Sequence, residues 1–289
     1  MDIVYDGVVG AVAVKQIKSS GLDPSLAKFV GRASGAIAPS IISVQSLDPK
    51  VTFDMMDVGG AIAGIGDYLA VAAGTITIPY NRMANGATFA GASANFQINA
   101  TAGLFTASQY SASQDGDASA TIEGVLLSSD GLIAPCTTAV NNTLASQTFN
   151  GAWTLGPVLI NGTALTQVTS VNVRTGISVI SKRFDGYPYP TWASIVKTDP
   201  TIEITTHNLD IASSYAIIGS AMTSCAVYFR KRSDGATLVA GAGSVHPKFS
   251  FAAGLVEIGS IRASEHEPGA VTITLHGKAL TQSATQALP

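Results

Sequence analysis

The chain has 289 residues, enough for one large β domain or two ordinary ones, since domains commonly run to roughly 100–150 residues. Apolar residues make up 46% but charged residues only 12%, against about 25% in an ordinary soluble domain, so much of the outer surface is expected to be buried against other subunits. A formal net charge of −3 excludes a strongly basic nucleic-acid footprint, and the most apolar window, Val58 to Ala73, is broken by Asp67 and several glycines and is too short for a spanning helix.

From the N-terminus, Met1-Asp2 carries no basic region ahead of the short apolar run Gly7 to Val14, so no secretory signal is expected. An internal repeat dominates the rest of the chain. Ala38 to Phe53 reads like Tyr189 to Ile204, with Pro39 on Pro190, Ser43 on Ser194, Asp48 on Asp199 and Pro49 on Pro200, an offset of 151 residues. The same offset carries Arg32 onto Arg183, Gly35 onto Gly186 and Ala102-Gly103-Leu104 onto Ala253-Gly254-Leu255, while Asn85-Gly86 meets Asp234-Gly235 at 149. A duplication with one short indel explains both values.

In the first copy, Val51 and Phe53 alternate with polar neighbours as in a half-buried strand. Asp57 then caps a short helix over 57–62, because its carboxylate can accept from the free N–H groups of a first turn. A strand follows over Thr75 to Tyr80, a hairpin turn at Asn85-Gly86 and a closing strand over Ala118 to Leu127. The polar stretch Thr137 to Asn150 is expected to join the copies, giving units 1–140 and 141–289. The second copy repeats the plan. Val171 and Val173 alternate with polar residues, Ile177 and Val179 continue after Gly176, and Ile202 and Ile204 alternate with Glu203 and Thr205. Asn208 caps a helix over 208–213, and strands follow over Cys225 to Arg230 and Ala270 to Gly277. The expected fold class is mainly β: two tandem sandwich or barrel units, each with a short flanking helix.

Motifs for chemistry are weak. Gly64-Ile65-Gly66 and Gly241-Ala242-Gly243 are incomplete glycine fingerprints, and neither a P-loop nor a Gly-x-Ser-x-Gly elbow occurs. The histidines, His207, His246, His266 and His276, all lie in the second copy without ligand spacing, so no metal or other cofactor is expected. Cys136 and Cys225 sit in dissimilar contexts and read as reduced small residues. Asp115 and Asp117, and Glu265 and Glu267, occupy similar loops before each closing strand. They could serve as an acid/base pair but read better as loop charges or a polar lining. Arg230-Lys231-Arg232 reads as a solvated strand end. The cluster holding Tyr187, Tyr189 and Trp192 reads as an inter-subunit contact loop, packing onto a neighbouring chain, with a ligand platform as its alternative. Nothing here points to an enzyme.

The stretch Phe184 to Asp210 and the ending Ala263 to His276 resemble the tail tube (major tail) proteins of long-tailed bacteriophages, and the repeat extends the likeness to the first copy. The resemblance implies sandwiches whose sheets join around stacked rings, a duplicated chain forming a trimer with pseudo-hexameric symmetry. It implies self-association, contacts with other tail proteins at the tube ends, DNA passing through the lumen without sequence-specific binding, no membrane, and a place in the virion after synthesis in the host cytoplasm. The competing expectation is a virion-surface or carbohydrate-binding sandwich module.

Overall fold

Thr201–Thr206 buries Ile202, Ile204 and Thr206 and turns Glu203 and Thr205 to the other side, and Lys50–Met55 does the same with Val51, Phe53 and Met55. Such alternation needs a core on one face only, and packed sheets supply it. The computed structural model describes residues 2–4, 6–35, 37–71, 76–82, 95–142, 144, 151–215, 219–232, 238–265 and 267–289. The chain is mainly β, and none of its sheets closes into a barrel.

Ten strands form one open sheet that crosses from one copy to the other. Its order runs Ser220–Met222, Gly254–Ser264, Glu267–Gly277, Thr201–Thr206 and Val168–Arg174 from the second copy, then Ala102–Ser113, Ser119–Leu127, Lys50–Met55 and Ile17–Asp23 from the first. Tyr68–Val71 pairs beside Ala102–Ser113. Behind it lie a six-stranded sheet of first-copy strands and a five-stranded sheet of second-copy strands. Two hairpins, Leu26–Gly31 with Ile41–Leu47 and Ile177–Lys182 with Trp192–Thr198, stand apart as arms.

The duplication reaches the level of residue pairs. Ser20↔Phe53 recurs as Val171↔Ile204, Phe53↔Ile122 as Ile204↔Ile273, and Phe105↔Gly124 as Val256↔Leu275. Bulges recur as well, after Ala107 and after Ile258, and in both arms after Ala27 and Ser178. Even strained backbone repeats, with the non-glycine residues Gln16 and Gln167 both left-handed at φ of 54° and 56°. In the outer sheets Ile98↔Ile78 becomes Phe249↔Val227, so the offset of 149 holds across Ile76–Arg82 and Cys225–Lys231 before 151 returns.

Several expectations change. Residues 137–142, expected within the linker, belong to the strand Cys136–Asn142, which pairs with Asn95–Ala100. The first copy's last strand therefore runs past residue 140. The caps form as expected, Asp57 accepting from Gly60 N at 2.8 Å and Asn208 from Asp210 N at 3.1 Å, but the second copy makes only a 3-10 turn over Leu209–Ser213 where the first makes an α-helix over Val58–Gly64. The turn dipeptides Asn85-Gly86 and Asp234-Gly235, Thr75, His266 and residues 145–150 lie outside the described residues. The two copies are also not separate bodies: Trp153 lies against Gly59 of the helix, and the Tyr110 and Phe249 ring centroids are 4.7 Å apart within one continuous core.

Candidate assembly surfaces

The side of the ten-stranded sheet facing away from the core is built from short polar residues. One row runs Ser113, Ser170, Thr205, Thr272 and Ser260 across the boundary between copies. On the same side the carboxylates Asp23, Asp54, Glu123, Glu203 and Glu257 outnumber the cations Lys50, Arg174 and Arg262. Their links are local and mostly solvent-exposed: Asp54 accepts from Ser19 Oγ at 2.7 Å and Thr121 Oγ1 at 2.8 Å, Arg174 stands 4.0 Å from Glu203, and His276 Nε2 stands 3.2 Å from Glu257. Exposed pairs of this kind contribute little to stability, so the face is a polar surface and not a structural network.

The copies meet where Ala102–Ser113 pairs with Val168–Arg174 in the register Gln109↔Arg174 to Ser113↔Ser170. Tyr110 and Val173 are fully buried there, and Ala112 and Val171 nearly so. This ladder has no counterpart among the described residues. Every other ladder of the large sheet appears twice. The strand equivalent to Ala102–Ser113 is Gly254–Ser264, whose outer edge, among the described residues, is covered by Ser220–Met222 over 254–256. Among the described residues nothing pairs with 260–264, which form an open edge. At the far end of the sheet, Ile17–Asp23, equivalent to Val168–Arg174, is the other open edge. The residue matching Tyr110 is Ile261, and it is 53% exposed.

Transferring the internal register by 151 residues sets Ser260 opposite Asp23, Ile261 opposite Leu22, Arg262 opposite Gly21 and Ser264 opposite Ser19. The two edges fit each other in charge. Arg262 would lie diagonal to Asp23 on one side, within reach of a cross-strand pair. A one-residue slip would put Ile261 on the polar side, so the apolar pattern selects the register.

The aromatic loop has a neighbour, and it lies within the chain. Its arm folds onto the first copy, where Leu47 N donates to Pro188 O at 3.0 Å, Ser128 N to Pro190 O at 2.8 Å and Tyr189 N to Gly131 O at 3.3 Å. Arg183 pairs with Asp48 at 3.3 Å. A Cβ on Gly131 would stand 2.8 Å from the Tyr187 ring, so ring and loop are in contact. Asp130 holds the receiving loop: its Oδ1 accepts from Leu132 N and Ile133 N at 2.9 and 2.8 Å, and these bonds hold its carboxyl below the usual range. Trp192, opposite Lys182 beside the arm's tip, is 44% exposed.

Asp115 and Asp117 lie on the turn between Ala102–Ser113 and Ser119–Leu127, and Glu265 on the equivalent turn between Gly254–Ser264 and Glu267–Gly277. Because successive strands alternate in direction, both turns lie at one end of the sheet. Asp115 and Glu265 are exposed, Asp117 pairs with Arg232 at 3.1 Å, and the side chain of Glu267 lies outside the described residues. The sheet-face carboxylates Asp54, Glu123, Glu203 and Glu257 were not singled out from sequence. Period-two alternation around Glu203, carried through the repeat, was the signal that finds them. The basic triplet is partnered within the chain and is not merely solvated: Arg230 Nε donates to Val239 O at 3.2 Å, Lys231 stands 5.7 Å from the Trp153 ring centroid, and Arg232 meets Asp117.

The buried His246 is fully satisfied, accepting from Lys231 N at Nδ1 (3.0 Å), which leaves Nε2 to donate to Ala240 O at 3.2 Å. Both cysteines are free thiols, and burial pushes Cys225 up to about 12. Among the described residues no group of three or more His, Cys, Asp or Glu could hold a metal ion. No helix among the described residues is long and apolar enough to cross a membrane. No protein-family model matches the chain, and no curated protein matches it.

Proposed function

We propose that this chain is a structural subunit of a phage-like tail tube, three chains closing into a pseudo-hexameric ring and rings stacking into a conduit for DNA ejection. The observation that carries this reading is the single unduplicated ladder. The joint between the copies is a heterologous contact, one edge type against a different one, and the chain still presents one unused edge of each type. Heterologous contacts between identical units generate rings when the rotation closes, and closure removes open strand edges. The low charge content of 12% suits a particle in which much of the outer surface meets other copies.

The polar face of the sheet would line the lumen. Short Ser and Thr side chains with carboxylates in excess over cations give phosphates no row of Lys and Arg to bind, and this suits passage over retention. Further tail proteins would meet the ring at the tube ends. The role is mechanical and non-enzymatic, and its place is the virion. A glycan platform on Tyr187, Tyr189 and Trp192 is the weaker reading, because the loop's backbone and the Tyr187 ring are already engaged by the first copy.

Negative-stain electron microscopy over a concentration series tests the proposal. Rings or tubes of three chains with sixfold-like end-on views are expected. A dispersed monomer at every concentration, with or without added tail-tip proteins, would overturn it.

A further inference from the structure

The two arms share one register, with Leu26↔Leu47 matching Ile177↔Thr198 and Gly31↔Ile41 matching Lys182↔Trp192, and each has a nine-residue tip, 32–40 and 183–191. Their surroundings differ. The second arm lies on the first copy, where Leu104, at the base of that arm, is only 6% exposed. The first arm touches no equivalent surface among the described residues: Leu26, Val30, Ile42 and Val44, which match the inward side of the second arm, are all exposed, and Ile37 at its tip is 93% exposed. On the second copy, Leu255, which matches Leu104, is 40% exposed.

From this mismatch we infer that the first arm, residues 26–47, docks on the second copy of a neighbouring chain, its tip seated at Thr198 and Ala279. This rests on the tube proposal, since it needs a second chain at the open edge. The internal contact supplies the geometry. Thr198 N stands where Leu47 N meets Pro188 O, and would donate to Ile37 O. Ala279 N stands where Ser128 N meets Pro190 O, and would donate to Pro39 O. Arg32 would meet Asp199 as Arg183 meets Asp48.

Three further features fit a second copy as the occupant. A cleft of about 540 Å3, lined by the second arm and the first copy at Ile177, Ile195 and Leu104, extends to the proposed seat at Thr198, Lys278 and Ala279. Its size suits an apolar tip such as Ile37 with its flanking residues. The departures from symmetry also compensate each other. The loop after Ser128 that receives Tyr187 and Tyr189 is missing from the second copy, where only Lys278 and Ala279 stand between Gly277 and Leu280, and the first arm carries Ala36 and Ala38 in place of those tyrosines. A small tip therefore faces the shortened seat, and an aromatic tip faces the longer one. Finally, the arm extends from Ile17–Asp23, the strand whose open edge the same neighbour would pair, so the two contacts are continuous.

The test uses full-length chains with Cys136→Ala and Cys225→Ala. One preparation carries Pro39→Cys and another Ala279→Cys; they are mixed under assembly conditions and oxidised, while a second mixture pairs Leu22→Cys with Ile261→Cys to report the sheet edges. A disulfide-linked heterodimer in both mixtures is expected, with each single-cysteine chain alone giving at least tenfold less dimer. Edge cross-linking without arm cross-linking would overturn the arm docking and leave the tube proposal standing. Absence of both, with the chains monomeric, would overturn both. In a complementary experiment, Val30→Asp with Ile42→Asp should lower the assembled fraction at least tenfold while the melting of the monomer stays unchanged. Assembly equal to the parent would contradict the docking.

Discussion

Tyr110 and Ile261 hold the same position in the two copies, yet Tyr110 is fully buried opposite Val173 whereas Ile261 is 53% exposed on an open edge. The same contrast separates Leu104 from Leu255 and the docked arm from the free one. In each pair the local strand geometry is identical, so the difference comes from what lies across the edge. An exposed apolar residue in a place where its twin is buried marks a contact still to be made, a stronger sign than exposure alone.

Breaking the internal joint should have the largest effect. Tyr110→Ala removes a ring packed against Phe249 and should cost about 3–5 kcal/mol in denaturant unfolding, whereas Ile261→Ala in the unassembled chain should cost under about 1 kcal/mol. Equal losses would mean that Ile261 is already buried. Tyr110→Phe sharpens the point: the hydroxyl has no hydrogen-bond partner among the described residues, so its removal should change stability by less than about 1 kcal/mol.

The arm hinges come next. Gly176 sits at φ 61° with a would-be Cβ 2.0 Å from Asp199 O, so Gly176→Ala should cost about 1–3 kcal/mol by thermal or chemical unfolding. Its counterpart Ser25 is left-handed at φ 44°, and Ser25→Gly should instead leave stability level or raise it by up to about 1 kcal/mol. A loss at Ser25 equal to that at Gly176 would contradict the matching of the two hinges.

The smallest effect concerns pH. The carboxyl of Asp130 titrates below its ordinary 3.8 because backbone N–H groups hold the ionised form. Its contribution is therefore fully present above that value and is lost as pH falls through the lower folded pKa. The protection factors of the amides of Tyr189, and of Ser128 and Leu132 in the receiving loop, should fall on acidification through that range, while those in Leu26–Gly31 should not respond.

The repeat, both helix caps and most strands are legible in local sequence, since Pro39 and Pro190, Asp57 and Asn208, and the alternation at Ile202 and Ile204 act over a few residues. The offset of 149 that the sequence shows at Asn85-Gly86 also holds for Ile76–Arg82 against Cys225–Lys231, and the return to 151 at Ile98 against Phe249 requires a second, compensating indel beyond the one legible in the sequence. The joint between copies was not legible. Pairing of Tyr110 with Val173 depends on two strands distant in sequence choosing each other, and no local propensity encodes that choice. For the same reason Tyr187 and Tyr189 read as a contact loop but their neighbour, the loop at Gly131 in the same chain, did not. Asp115 and Glu265 stand out in the sequence as charged loop tips, whereas Glu203 and Glu257 come together on the outward face of the sheet only through strand pairing.

The most direct test of the central claim, that the joint inside the chain repeats between chains, is oxidative cross-linking of one chain carrying both Leu22→Cys and Ile261→Cys in place of the native cysteines. These positions lie on opposite edges of the sheet and cannot meet within one chain, whereas residues opposed in an antiparallel pair lie within disulfide reach. A ladder of linked dimer and trimer that stops at the closed three-chain ring is the predicted result, with a Ser20→Cys/Ile261→Cys register-shifted control cross-linking far less. Monomer alone, or equal linking by the shifted pair, would contradict it.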